Sequence, residues 1–403
     1  MPTTAQRLYK KTVFAKQSGQ GVPATTGGQI MRRTSSVFSL TRDTYKSAEI
    51  VSHQQSTGAN AGVGKTSGKL DGELSPGTYS NLFGSLLRKN FAATAAITGA
   101  SITVAGSGPS YTLTRAAGSF LTDGIKIGDV TRLTAGTFNA ANSNKNLLVT
   151  GVTATVLTVV VLNGTALVAE GPISSATLSV PGKKSWVPTT GHTDDWYSVE
   201  EWYSNVSKSE LFTDNQINQA ALTLPATGDA TVSFDVPGLG RTRGTVQQIV
   251  SPAVETTSNV LTAVNGAVLV NGASVSITGA QATINGNIAP GTAEVGSNVI
   301  GDLVKGNVEV SGQFTAKFTG TTLQDLFDNQ SIAPIVLVIA DGTAAAADFI
   351  TLVMPACKIF SDTADDGAEI VRTYSFTAQI NGSGGAALAN LQTICSMQDS
   401  AAA

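Results

Sequence analysis

Gly68-Lys-Leu-Asp-Gly-Glu-Leu-Ser-Pro-Gly-Thr-Tyr-Ser-Asn-Leu-Phe83 lies without a gap over Gly312-Gln-Phe-Thr-Ala-Lys-Phe-Thr-Gly-Thr-Thr-Leu-Gln-Asp-Leu-Phe327. Gly68, Thr78, Leu82 and Phe83 recur as Gly312, Thr322, Leu326 and Phe327, while Leu70, Leu74 and Tyr79 recur as Phe314, Phe318 and Leu323. Each copy reads as an alternating strand, a capping Thr and a short amphipathic helix. A long-period match of this kind predicts that one chain carries two copies of one unit.

Working outward, the first copy predicts a strand over Lys69–Leu74 and a helix over Thr78–Phe91. Leu82, Phe83 and Leu86, with Leu326 and Phe327 in the second copy, have the i, i+3, i+4 spacing that anchors a helix on a sheet. Val37, Phe38 and Leu40, leading to Glu49-Ile50-Val51, predict a strand, and residues 52–67 a long polar loop. Ser39-Leu40-Thr41 resembles Ser276-Ile277-Thr278, and Glu49-Ile50 resembles Glu294-Val295. After the second helix come apolar strands Ile335–Ile339 and Phe349–Met354. A pair follows, Cys357–Phe360 and Ile370–Ile380, joined by Ser361-Asp-Thr-Ala-Asp-Asp-Gly367. Its counterpart is Ile217–Leu224 with Thr231–Val236, where Ser233-Phe234 matches Ser375-Phe376.

The first copy is interrupted. A Gly/Thr/Val-rich stretch over 92–182, with strands at Ser101–Val104, Ile125–Leu133, Leu147–Val152 and Val156–Val161, reads as a small inserted β-domain. The expected fold is mainly β: two duplicated β-sandwich domains, each with a flanking helix, plus the insert. The expected divisions are an extended N-terminal arm over 1–35 that orders only against a partner, a discontinuous first unit over 36–91 and 183–237, a linker over 238–258, a second unit over 259–382 and a helical tail over 383–403.

Composition narrows the function. Of 403 residues, only 13% are charged, low for a free monomer, which points to surface buried against other subunits. The net charge is −3 and no basic stripe argues for tight nucleic-acid binding. The N-terminus has no apolar run behind its charges, so no signal peptide is expected, and no segment approaches the ~20 apolar residues of a membrane span. Cys357 and Cys395 lack metal-type or redox spacing and are expected as free thiols of a reducing compartment, a disulfide holding the tail being the other possibility.

Candidate chemistry is thin. Ala59-Asn-Ala-Gly-Val-Gly-Lys-Thr66 matches a relaxed phosphate loop, but Ala59 stands where Gly is needed. The flanking polar stretch and following strand also deny it the strand–loop–helix setting. His192, Asp194 and Asp195 read as a turn rather than metal ligands, as do Asp362, Asp365 and Asp366. With two histidines in polar loops, no catalytic triad is visible. Glu200 and Glu201, adjacent on a strand, point to opposite faces. Trp196, Tyr197, Trp202 and Tyr203 predict core or subunit-interface packing. No enzyme activity, metal or cofactor is expected.

Several stretches carry a resemblance: Gln6-Arg-Leu-Tyr-Lys-Lys-Thr12, Arg32-Arg-Thr-Ser-Ser36, Leu70-Asp-Gly-Glu-Leu-Ser-Pro-Gly-Thr-Tyr79, Tyr197-Ser-Val-Glu-Glu-Trp-Tyr203, Asn218–Gly228 and Pro355-Ala-Cys-Lys-Ile-Phe360. The chain outside 92–182 resembles the major tail tube proteins of long, non-contractile bacteriophage tails (siphophages). The resemblance implies two packed antiparallel sheets per domain with a flanking helix and a long loop. One sheet per domain would join its neighbours in a continuous β-barrel around a channel. Rings stack into a hollow tube, with three chains per pseudo-hexameric ring where each chain has two tube domains. The implied partners are other copies, a tape-measure protein in the lumen, tail terminator and distal tail proteins, and double-stranded DNA in transient passage without specific binding; no membrane partner is implied. The implied location is the virion tail, assembled in the host cytoplasm, with the insert outside. His53, Gln54, Gln55, Asn60 and Lys65 then become candidates for a ring-stacking loop. A carbohydrate-binding or adhesive β-modular surface protein, or the tube protein of a contractile tail, is the alternative.

Overall fold

The structure, a computed structural model, describes residues 4–402 apart from 54, 56 and 57. The chain opens with β1 (Lys10–Lys16), β2 (Gln29–Ile30), β3 (Ser35–Lys46), β4 (Ala59–Glu73) and the helix α1 (Ser80–Leu86). Six strands follow: β5 (Ile97–Ser107), β6 (Ser110–Arg115), β7 (Val130–Ala135), β8 (Leu147–Val152), β9 (Val156–Val161) and β10 (Glu170–Ser179). Next come β11 (Lys183–Trp186), β12 (Tyr197–Tyr203), β13 (Lys208–Asn215), β14 (Gln219–Leu224), β15 (Thr231–Gly238) and β16 (Gly240–Gly244). The remaining elements are β17 (Gly266–Val270), β18 (Ala273–Val275), β19 (Ile277–Asn285), β20 (Ile288–Pro290), β21 (Leu303–Lys305), β22 (Glu309–Lys317), α2 (Thr322–Asp328), β23 (Ala333–Ala340), β24 (Phe349–Asp366), β25 (Ile370–Ala378) and β26 (Ser396–Asp399). The molecule is mainly β, and none of its described helices is long and apolar enough to cross a membrane.

Two sheets face each other around α1. One runs β16-β13-β12-β1-β2 and the other carries β14-β15-β4-β3. Phe38 of β3 bridges them, its ring 6.0 Å from Phe14 of β1 and 5.3 Å from Phe212 of β13. Around α2 the pattern returns as β18-β17-β23-β24 and β24-β25-β22-β19. The long β24 serves both sheets: its first half pairs β23 and its second half pairs β25. Where β13 and β14 are separate strands broken at Gln216, β24 runs through as one. The two inner sheets join where β14 pairs β19, giving eight strands in a row from β24 to β3.

Register gives the correspondence residue by residue. Gly68 stands opposite Phe38 and Val236, and Gly312 opposite Ala282 and Phe376. In both, an aromatic ring lies across the strand where a Cβ would be. On Gly68 it would meet the Phe38 ring at 2.0 Å, and on Gly312 the Phe376 ring at 2.6 Å. Phe234 faces Leu70 as Tyr374 faces Phe314, so the match of Ser233-Phe234 to Ser375-Phe376 is shifted by two residues. Leu40 likewise corresponds to Ile284, not Ile277, since Leu40 faces Thr66 as Ile284 faces Val310.

Several expectations are corrected. The arm over 1–35 contributes β1, an interior strand with Val13, Phe14 and Ala15 buried; its basic ends mask a short apolar centre. Residues 59–67 are strand, not loop, so the phosphate-loop look-alike is extended backbone in β4. Residues 361–366 are likewise strand, and the turn falls after Asp366. The helix expected over Thr78–Phe91 is confined to Ser80–Leu86. Neither helix has a side-chain N-cap; at α1 the Thr78 hydroxyl bonds Ser75 and Thr256 instead. The 238–258 stretch supplies strand β16, and the tail over 383–402 forms β26 rather than a helix. Met397 and Cys395 give that tail a buried, strand-like alternation.

The strands between α1 and β11 close into a barrel, β10-β5-β6-β9-β8-β7, around Ile102, Leu113, Phe120, Leu133, Leu157 and Leu178. It leaves and rejoins the chain at one point, where Ala92 and Lys184 exchange 2.9 Å main-chain hydrogen bonds. The barrel docks on the second unit: Val130 and Leu148 pack with Leu269, Val336, Val338, Phe349 and Val353. The buried Lys126 ammonium donates to the carbonyls of Gly385, Ala386 and Leu388 at 2.6–3.0 Å.

Candidate assembly surfaces

The eight-strand sheet ends in two unpaired edges. Among the described residues β3 pairs only β4, and the second half of β24 pairs only β25. Such edges carry unsatisfied main-chain donors and acceptors and template further pairing. Inside the chain the same kind of edge is satisfied, because β14 is covered by β19 with Ala221 opposite Thr283 and Leu222 opposite Ala282. The consequence shows in burial: Leu222 and Leu224 are buried, while Ala364 and Asp366, their counterparts on β24, are exposed.

The face of this sheet turned away from the core is polar. It presents Ser67, Thr223, Ser233, Gln281, Gln313 and Thr373 among its residues, with alternate positions such as Leu70, Phe234 and Phe314 buried beneath. Its charges are mixed: the Lys69 ammonium is 3.3 Å from Asp71, which also accepts from the Ser233 hydroxyl at 2.7 Å.

The helices differ. Leu82, Phe83 and Leu86 of α1 are buried, with the Phe83 ring 5.1 Å from Phe234. α2 has no buried residue; Leu326 and Phe327 are half-buried against the core. The two helices also stop at different points of the repeat. Their closing residues, with left-handed backbone, are Arg88 (φ 57°) and Gln330 (φ 51°), two residues apart relative to the matched Leu82 and Leu326. The amino end of α1 is held by Asp399 of β26, whose carboxylate accepts from the Gly77 amide (2.9 Å) and the Ser80 hydroxyl (2.7 Å). Burial raises the Asp399 carboxyl above its ordinary value. Nothing in the sequence ties residue 399 to residue 77; only the fold does.

The remaining sequence-selected residues separate into three places. Asn60 and Lys65 lie in β4, on the long β3–β4 hairpin, with Lys65 3.7 Å from Asp43; His53 and Gln55 are exposed beyond it, and Gln54 lies outside the described residues. Tyr197 is core, its phenol donating to the Asn81 carbonyl at 3.1 Å, and burial raises its pKa. Trp196 packs with Leu239 and Leu303 where the second unit meets the first. Trp202 and Tyr203 are half-buried, and the Tyr203 hydroxyl donates to Glu201 at 2.9 Å. Glu200 and Glu201 do face opposite ways: Glu200 accepts from the amides of Gln248 and Ile249, and Glu201 pairs with Lys10 at 2.5 Å. These are satisfied structural carboxylates. His192 is exposed, Asp194 pairs with Lys305, and Asp195 is 2.7 Å from Lys16. Asp362 holds Arg372 at 2.6 Å. Cys357 and Cys395 are free and buried, and burial pushes the Cys357 thiol up to about 12.

A family model described as phage tail tube protein matches residues 10–384 of this chain. No curated protein matches it.

Proposed function

The chain belongs to the phage tail tube protein family, and on that premise we propose that it is the structural, non-catalytic subunit of a long non-contractile tail. In this reading the two sandwich units are duplicated tube domains, and three chains close a pseudo-hexameric ring. Rings stack into a hollow conduit for double-stranded DNA, filled before infection by a tape-measure protein and bounded by terminator and distal tail proteins. The observation that carries the reading is the eight-strand sheet with one satisfied internal joint and two open edges. Closing such a sheet on itself removes the edges. The β3–β4 hairpin with His53, Gln55, Asn60 and Lys65 serves contacts between stacked rings, and the barrel over 97–179 stands outside the tube. The pair of units in one chain favours an unsheathed tail over a contractile one.

Negative-stain electron microscopy of concentrated protein, with mass photometry of the same sample, tests this. Trimers and stacked hollow rings are expected. A chain that stays monomeric at every concentration and salt, with or without preformed tube fragments as seeds, overturns it.

A further inference from the structure

Within the chain, the contacts that seat the second unit on the first include three that matter here. β19 pairs β14. The Leu261 amide donates to the Leu74 carbonyl, and the Ala230 amide to the Leu261 carbonyl, both at 2.8 Å. Residues 286–306 reach α1, where Arg88 donates to the carbonyls of Gly286 and Gly306. Leu74, Ala230 and Leu261 are fully buried as a result.

The free edge of β14 and the Leu74–Ala230 pair that receive the first two contacts have counterparts in the second unit, and there, among the described residues, the contacts are missing. Phe318 corresponds to Leu74 and Ile370 to Ala230, because the Phe318 amide bonds the Ile370 carbonyl as the Leu74 amide bonds the Ala230 carbonyl. Yet Phe318 is 41% and Ile370 51% exposed. Phe360, on the bulge of β24 between Ile359 and Ser361, is 64% exposed. These exposed apolar residues lie along the free half of β24, the adjoining end of β25 and the strand that leads into the half-buried α2, and exposed apolar groups beside an unpaired strand edge mark an association surface.

The contributing groups also have counterparts, at the other end of the chain. β3 corresponds to β19. The short 3-10 turn Arg7–Tyr9 leads into β1 as Ala263–Asn265 leads into β17, which sets Ala5 against Leu261. Thr4, Ala5 and Gln6 are exposed.

We infer that the Phe318–Ile370 patch and the free half of β24 are the seat for a second copy of this chain, which enters with β3 and residues 4–6 in the register used internally by β19 and Leu261. Transferring that register pairs Thr363 with Ser39, Ala364 with Phe38 and Asp362 with Leu40 of the incoming copy, antiparallel. The contact is head-to-tail, so it is the kind that generates rings when its rotation closes. The inference rests on the tube reading and adds to it the residues through which copies meet.

Paired cysteines test the register. The two natural thiols are buried and stay inert. S39C/T363C, oxidised with copper phenanthroline under assembling conditions, is expected to give covalent dimers and trimers on a non-reducing gel. A221C/T283C is expected to close within the chain without a mass ladder. T41C/D365C, four residues out of register, is expected to give none. As a second variant, Phe318→Asp is expected to keep its urea midpoint, since Phe318 is partly exposed, and to raise the half-assembly concentration at least tenfold. Rings without an S39C/T363C ladder, equal cross-linking of the out-of-register pair, or undiminished assembly of Phe318→Asp overturns this interface and leaves the tube reading standing. Neither rings nor ladder from any variant or parent overturns both.

Discussion

At the residue scale, the most informative positions are those where the sequence gives up a side chain. Gly68 is such a position, because the Phe38 ring occupies the space of a Cβ at 2.0 Å. Gly68→Ala must displace a buried ring packed against Phe14 and Phe212, and is expected to lower stability by about 1–3 kcal/mol, the usual cost of overpacking a core. Gly64, two turns of the pleat earlier on the same strand, meets nothing closer than 3.5 Å. Gly64→Ala should therefore stay within about 0.5 kcal/mol of the parent. Urea midpoints of the two variants check the pair. Asp399 makes a second case. Its carboxyl is raised in the fold, so the unfolded chain releases this proton first as pH rises. The stability it contributes is present below the ordinary carboxyl pKa, near 3.8, and is lost progressively as pH climbs through the raised value. Asp399→Asn removes that dependence, keeps an oxygen to accept from the Gly77 amide and offers the Ser80 hydroxyl an amide N–H in place of the oxygen it donates to. Its stability relative to the parent should rise with pH above about 4, measured as urea midpoints across the acid range.

At the element scale, what could be read from sequence depended on whether a pattern was local. The α1 stripe of Leu82, Phe83 and Leu86 and the barrel strands Leu147–Val152 and Val156–Val161 were legible, because apolar spacing alone decides them. β1 was missed because its apolar centre, Val13-Phe14-Ala15, is three residues long between lysines. The second half of β24 was missed because Asp362, Thr363, Asp365 and Asp366 look like a turn; they are polar where an unpaired edge meets solvent. The docking of the barrel was beyond sequence altogether, since Val130 and Leu148 carry no mark of facing Val336 and Val353 instead of their own core. That docking changes what removing the barrel should do. The Ala92–Lys184 hydrogen bonds bring the cut ends together, so joining them with a short turn is geometrically easy. However, deletion of 95–181 would uncover Leu269, Val336, Val338, Phe349 and Val353, and an apolar patch of this kind drives association. The deletion alone is expected to aggregate. The same deletion with V336T, V338T and V353T is expected to recover a soluble, assembling protein, as judged by sedimentation.

At the scale of the whole molecule, the question is which face of the sheet meets DNA. If the eight strands of each chain line the channel, the polar face bearing Ser67, Ser233, Gln281 and Gln313 is the wall. That wall has hydroxyl and amide groups, and its Lys69 is matched by Asp71. A conduit needs such neutrality, because each lysine free to neutralise a phosphate releases counterions and adds salt-sensitive affinity that retards passage. Assembled tubes are therefore expected to bind double-stranded DNA weakly, with little difference between 50 and 200 mM salt, ~10-fold or less in affinity. Thr223→Lys with Gln313→Lys places two cations on exposed wall positions that are not directly opposite each other, and repeats them in every subunit of every ring. The double variant should assemble normally, since neither side chain touches the core or an edge. Its tubes should retain DNA fragments at 50 mM salt and release them at 200 mM, read by co-sedimentation. If the variant tubes hold no more DNA than the parent at low salt, that face is not the wall, and the opposite assignment of inside and outside must be taken up.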